Sequence, residues 1–302
     1  MVSRCSLNRP PPALRDNPSP LPIGVNFHHF DGTDRHHPIG RTYLTTNTVR
    51  FPGQSGLELA GRLELPDDGA PTSCAVFAHC FTCSKDIRAA VRISRELAAQ
   101  GMAVLRFDFT GIGESEGEFA DSHFGANVGD LIAAAAFLER LNSPPSLLIG
   151  HSLGGAAVLR AAGSLPSVKG ICTIGAPADP SHVEHLLVGA REALQQADSA
   201  SVSIAGREFT ITREFLEALE NQPIEAAAGA LRAALLIFHS PTDTTVGIEN
   251  AARIYQAARH PKSFVSLDGA DHLLTRPEDA EYVARVLGAW AGRYLTRHPP
   301  VS

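Results

Sequence analysis

No stretch of this sequence is apolar for long enough to cross a membrane, which takes about 20 residues. Residues 1–40 also lack the apolar core of a signal peptide, so neither a membrane span nor Sec export is expected. Positive charge is in short supply: 26 Lys and Arg stand against 32 Asp and Glu, a net charge of −6. Nucleic acid is therefore not an expected partner, because phosphate binding needs a basic face. Cysteine is sparse, with five residues in 302, and an odd number in a chain this long does not make a disulfide framework. A cytoplasmic location is the expectation. With 44% hydrophobic and 19% charged residues, the composition is that of an ordinary globular chain. Its length suits one large α/β domain with an insertion, or two small domains.

Residues 1–41 are rich in Pro, Asn, Asp and His and poor in apolar residues, which predicts a disordered leader. The pairs His28-His29 and His36-His37 have no rigid frame to make them a metal site, and no metal or other cofactor is expected. Two strand-like runs, 45–51 and 57–65, flank a Pro-Gly-containing turn and predict a hairpin. From there short apolar runs at 73–79, 102–107, 146–150 and 168–174 alternate with helical patterns at 87–100, 126–141 and 153–164. This alternation predicts an α/β fold with a mostly parallel central sheet and helices on both faces. Residues 177–230 break the rhythm with two helical runs, 182–196 and 213–221, around a small hairpin at Ala205-Gly206. The segment is too long for a plain loop and reads as a small lid. Strands at 233–239 and 263–267 and helices at 246–259 and 278–294 complete a domain over 42–298.

The most informative stretch is Gly150-His151-Ser152-Leu153-Gly154-Gly155, between an apolar run and a small-residue run. Strand, very tight turn and helix in that order make G-x-S-x-G a nucleophile elbow rather than a chance match. The turn strains Ser152, and the two glycines provide clearance for it. A serine nucleophile needs a base to take its proton and an acid to orient that base. Asp243 follows the run 233–239 and His272 follows 263–267, so both project from carboxyl ends of strands, where open α/β sheets place their sites. The order Ser, Asp, His is the one this elbow requires. Asp271 is a rival acid, but its adjacency to His272 hinders it from reaching the imidazole. Asp108 comes before the serine and is read as structural. The backbone N–H groups of Leu153 and Phe81 are the expected oxyanion hole. The loop 108–115 contains G-x-G but lacks the third Gly and the helix of a dinucleotide fingerprint. Cys80 and Cys83 form C-x-x-C on the oxyanion loop. They are read as structural, with a redox pair as the alternative.

These residues resemble the α/β-hydrolase domain that bacteria often fuse ahead of an OsmC-like peroxidase domain. More broadly the chain is similar to serine aminopeptidase S33 and monoacylglycerol lipase-like hydrolases. The likeness runs over residues 45–295. It is carried by F-A-H-C-F-T-C-S-K-D from Phe77, V-L-R-F-D-F-T-G-I-G-E-S-E-G-E-F from Val104, L-L-I-G-H-S-L-G-G-A-A-V-L from Leu147 and H-P-K-S-F-V-S-L-D-G-A-D-H-L-L-T from His260. The resemblance implies a serine-hydrolase fold with Ser152, Asp243 and His272 in the triad positions. Residues 1–302 hold no OsmC-like stretch, so any coupling to peroxide chemistry is expected to depend on an OsmC-like partner in trans. The expected activity is a carboxylesterase acting on a small-molecule acyl substrate of small or medium chain, with thioesters and amides open to the same triad. The alternative is a redox-responsive binding or partner module switched by Cys80 and Cys83.

Overall fold

The computed structural model describes residues 44–67, 70–79, 83–181, 190–194, 196–204, 207–220 and 222–295, all within the unit Ile39–Ser302. The leader 1–41, its histidine pairs, Cys80, Phe81 and the turn Ala205-Gly206 lie outside the described residues. The chain begins with strands β1 (Thr45–Pro52), β2 (Glu58–Leu65) and β3 (Ser73–Ala78), then helix α1 (Arg88–Ala99), β4 (Met102–Phe107) and α2 (Phe124–Arg140). There follow β5 (Leu147–His151), α3 (Leu153–Ala161) and β6 (Gly170–Ile174). After an excursion the sheet resumes with β9 (Ala234–His239), α7 (Glu249–Ala257), β10 (Lys262–Ser266) and α8 (Pro277–Leu295). The excursion contains α4 (Ala190–Leu194), the hairpin β7 (Ser199–Ile204) and β8 (Arg207–Thr212), α5 (Arg213–Leu219) and α6 (Ile224–Ala230).

Eight strands form one sheet in the order β1-β2-β4-β3-β5-β6-β9-β10. Only β2 runs against its neighbours, pairing antiparallel with β1 and β4, while every other pairing is parallel. The central strands are buried on both faces, so their side chains alternate between two cores rather than between core and water. In β3, Cys74, Val76 and Ala78 join the core that takes in α2 and α3, while Ala75 and Phe77 join the one under α1 and α8. In β4, Ala103, Leu105 and Phe107 divide from Met102 and Val104 in the same way. Helix α1 presents Ala89, Ala90, Ile93 and Leu97 to the sheet at the spacing of one helical face.

The excursion is stitched to the first of these cores. Ile211, Phe215 and Leu219 are buried in it, and the Phe119 ring lies 4.7 Å from Phe209 and 5.8 Å from Phe215. Thr212 caps α5 by accepting the Phe215 N–H at 3.2 Å. The sequence pattern did not anticipate α6, because Gln222-Pro223 reads as a break and not as the start of another helix. Helix α7 begins three residues later than its pattern suggests, since the N–H groups of Thr245 and Val246 are turned to the Asp243 carboxylate instead.

Buried charge ties the loops above the sheet together. Lys85 is 1% exposed, and its Nζ donates to Asp108 Oδ2 at 2.8 Å and to Glu114 Oε2 at 2.7 Å. The Lys85 N–H donates to Asp108 Oδ1 at 2.6 Å, and the Glu114 N–H to Oδ2 at 3.0 Å. Burial alone would depress the Lys85 ammonium, but its hydrogen bonds to Asp108 and Glu114 outweigh that and raise its pKa. Next to this group Arg106 donates to the Lys85 carbonyl, to Asp86 Oδ1 at 3.1 Å and to the buried Glu64 at 2.5 Å. Asp130 on α2 holds the start of the glycine-rich loop, accepting the N–H and hydroxyl of Thr110 at 2.9 and 2.8 Å. The loops after β3 and β4 are thereby fixed to each other. Asp108 has the structural part read from its position.

Removing one partner of a buried pair leaves a desolvated charge behind, so Lys85→Met is expected to lower the unfolding free energy by about 3–5 kcal/mol. Arg50→Ala breaks an ion pair whose side chains are both 47% exposed, and is expected to cost less than about 1 kcal/mol. Urea unfolding of the two variants beside the parent checks the contrast, and equal losses would contradict it.

Candidate active site

Strand β5 ends at His151 and helix α3 begins at Leu153, leaving Ser152 alone to turn the chain. Its backbone sits at φ 54°, ψ −125°, outside the regions an L-residue favours. Such a conformation costs about 1–3 kcal/mol and persists where the surroundings over-determine it. Here the Ser152 N–H donates to Ile174 O of β6 at 2.8 Å, and its carbonyl accepts the Gly155 N–H at 2.8 Å. A Cβ on Gly150 would stand 2.3 Å from the Gly154 carbonyl oxygen, and one on Gly154 would stand 2.4 Å from that of Ala78. Both positions admit only glycine, as the elbow pattern requires.

The structure brings Ser152, His272 and Asp243 together. Ser152 Oγ lies 3.0 Å from His272 Nε2, and His272 Nδ1 lies 2.7 Å from Asp243 Oδ2. His272 is carried by the loop after β10, and Asp243 by the turn after β9. The second oxygen of Asp243 accepts two backbone N–H groups, those of Thr245 and Val246, each at 2.9 Å. Burial by itself would raise the Asp243 carboxyl. The hydrogen bond and charge of His272 and the two backbone donors outweigh it and hold the carboxyl below its usual range. The buried His239 ring donates from Nε2 to the Val246 carbonyl at 2.8 Å, which braces the same turn. Asp271 points elsewhere: its carboxylate accepts the Thr275 N–H at 3.0 Å and the Thr275 hydroxyl.

Leu153 is the first residue of α3, so its N–H has no acceptor within the helix and lies beside the serine at the positive end of the helix dipole. Of the C-x-x-C pair, Cys83 is disulfide-bonded, so a bridge exists where cysteine number gave no framework. The free thiols of Cys74 and Cys172 are buried. Burial pushes Cys74 up to about 12 and Cys172 higher still, so neither is a nucleophile at neutral pH. Among the described residues no helix is long and apolar enough to cross a membrane.

The sequence reading passed over His151, the residue between Gly150 and Ser152. Its ring is 2% exposed, and Nε2 lies 2.7 Å from the main-chain carbonyl of His272. Desolvation, together with the nearby His272, lowers its pKa from 6.5 to about 3. Only its place in the motif marked it beforehand. The shift has a definite sign for stability. Below pH 6.5 an unfolded His151 takes up a proton that the folded one refuses, so stability falls by about 1.4 kcal/mol per pH unit as pH drops from that point toward 3. His151→Gln removes this linkage. Its melting temperature is expected to decline less steeply than the parent's between pH 6.5 and pH 4.5 in differential scanning calorimetry. Parallel declines would contradict the assignment.

A model of the alpha/beta hydrolase family matches residues 75–286. The crystal structure of the esterase domain from a Rhodothermus marinus protein is 55% identical, with a TM-score of 0.70, and the alignment covers 83% of this chain and 100% of that one. Est1E from Butyrivibrio proteoclasticus, solved with ferulic acid, has a TM-score of 0.71 at 20% identity over 82% of this chain and 99% of its own, and shares the fold. Lysophosphatidylserine lipase ABHD12 of Danio rerio is 27% identical over 57% of this chain and 44% of its own length. Palmitoyl-protein thioesterase ABHD10 of Rattus norvegicus is 32% identical over 33% of this chain and 32% of its own. The match thus spans less than half the length of these two curated relatives. From its sheet order, its elbow and the match over 75–286, the chain belongs to the alpha/beta hydrolase family.

Proposed function

We propose that this hydrolase is a serine carboxylesterase, with Ser152 as nucleophile, His272 as base and Asp243 as the acid that orients it. The observation that carries the reading is the unbroken line from Ser152 Oγ through His272 to Asp243, at 3.0 and 2.7 Å. In this reading His272 Nε2 takes the proton of Ser152 Oγ as the oxygen attacks the acyl carbon. Asp243 accepts the Nδ1–H hydrogen bond and stabilises the imidazolium that forms. The Leu153 N–H, with that of Phe81 as second donor, holds the tetrahedral oxyanion. His272 then protonates the leaving alcohol, and a water activated by the same imidazole releases the acid.

Small or medium acyl esters are the proposed substrates. The 55% identity to an esterase domain supports ester chemistry. The lipase and thioesterase names of the more distant relatives keep longer acyl chains and thioesters in the same test. The segment between β6 and β9 is proposed as the lid that sets acyl length. Within the family our reading keeps the resemblance to the hydrolase domains that bacteria fuse ahead of OsmC-like domains, with an OsmC-like protein as a partner in trans. A second reading rests on the disulfide at Cys83, two residues after Phe81 in the sequence. There the C-x-x-C of Cys80 and Cys83 switches a binding module built on the hydrolase scaffold.

A fluorophosphonate probe is expected to add once to the parent protein and not to Ser152→Ala, read by intact mass. Turnover of p-nitrophenyl acetate is expected to fall by roughly 10⁴- to 10⁶-fold in Ser152→Ala and roughly 10⁴-fold in Asp243→Asn. Ester hydrolysis that survives Ser152→Ala would refute the reading. Activity that changes on addition of a reductant, with a matching gain in titratable thiols, would favour the switch.

A further inference from the structure

The serine hydrolase reading accounts for the imidazole of His272 but not for what holds its main chain. The loop between β10 and α8 is pinned locally by the Ala270 N–H on the Leu267 carbonyl at 3.1 Å and the Leu274 N–H on that of Asp271 at 3.1 Å. Asp271 caps its far side through Thr275. Leu274 sits at φ 50°, so the loop is itself held against its preference. Between these pins lies His272, and its carbonyl oxygen faces the His151 ring at 2.7 Å.

A carbonyl oxygen only accepts, so at that distance Nε2 of His151 carries the proton. The neutral ring has one N–H, which leaves a lone pair on Nδ1. That atom is buried with no hydrogen-bond partner among the described residues. An apolar side chain of similar size would fill the space without the cost of a desolvated nitrogen. The one thing the imidazole supplies there is the Nε2–H on His272. The two rings lie 5.2 Å apart, and the other titratable groups felt by His151 are Asp243 and His79. Charge on His151 would oppose the imidazolium that His272 becomes in the reaction, so a neutral donor suits the place.

We propose that His151 is a positioning residue, which fixes the main chain of His272 through its Nε2–H and so sets the aim of the His272 imidazole at Ser152. His151 is the last residue of β5 and Ser152 the next in the chain. The base is thereby located against the peptide that carries the nucleophile, and the two reacting atoms share one mount. The proposal rests on the serine hydrolase reading above.

The test uses His151→Leu, which fills the volume without a donor, and His151→Gln, whose amide nitrogen reaches close to the Nε2 position. Steady-state hydrolysis of p-nitrophenyl acetate and the rate of fluorophosphonate labelling are measured for both, beside the parent and Ser152→Ala. A base moved by a fraction of an ångström costs the chemical step and not substrate binding. His151→Leu is therefore expected to lose about 10- to 100-fold in kcat and in labelling rate, with KM within about twofold of the parent. His151→Gln is expected to regain most of that loss. If His151→Leu does not fold, His151→Asn takes its place, since its shorter amide cannot reach the carbonyl, and the same loss is expected. Donorless variants that keep kcat within about twofold of an active parent, or a glutamine variant as slow as the leucine one, would overturn the proposal alone. A parent that neither turns over ester nor takes the probe would overturn the hydrolase reading, and this proposal with it.

Discussion

The turn at Ser152 can hold an unfavourable backbone conformation only because neighbours on every side leave no other. Its N–H is committed to β6, its carbonyl to the start of α3, and two glycines let that helix pass within contact distance of β3 and β5. The strain of about 1–3 kcal/mol is small beside the packing of a central strand buried on both faces. The return is geometric: a short side chain stands clear of the backbone, at the mouth of a helix, where two later loops can reach it. The parallel direction of β5, β6, β9 and β10 then matters for the site, because it brings their carboxyl ends to one side of the molecule.

Around that point the charges are arranged in two buried sets. Asp243 and His272 face each other with the carboxylate backed by two N–H groups, so it can stay ionised though buried. Lys85, Asp108, Arg106 and Glu64 form a second buried set, hydrogen-bonded among themselves and to the loops around them and not to Ser152, His272 or Asp243. Its role is to lock the loops that follow β3 and β4, the second of which is long and carries Gly111, Gly113 and Gly117. Buried charge of this kind is poor value as stabilisation when compared with apolar packing. It is well suited to fixing one loop arrangement among several, because each misplacement strands a charge.

Much of this was legible in the sequence. The strands from 73 to 174 and their helices could be read because doubly buried strands are short, apolar and separated by helical periods. The elbow could be read because glycine, serine and the flanking runs each have a separate steric reason to be there. Asp243 could be preferred to Asp271 on adjacency alone, and the structure adds that Thr275 occupies the Asp271 carboxylate. His151 and His239 were not legible, since their partners are carbonyl oxygens, and a main-chain acceptor leaves no mark in the sequence. Helix α6 escaped for a related reason. It is a single short run of small residues whose helical state follows from its place in the core, with Ile224 and Ala228 buried, and not from a strong period of its own.

The strands β6 and β9 are adjacent in the sheet and bonded in register from Gly170 to Ile174, although the whole excursion, with its hairpin and helices α4, α5 and α6, lies between them in sequence. The sheet therefore closes across the point where the excursion leaves and returns. Nothing in the ladder needs the intervening residues to align it. That makes the excursion a replaceable module. A different segment could be grafted between Gly175 and Ala233 with the Ser152, Asp243 and His272 mounts left untouched, provided it covered the apolar surface now occupied by Ile211, Phe215 and Leu219.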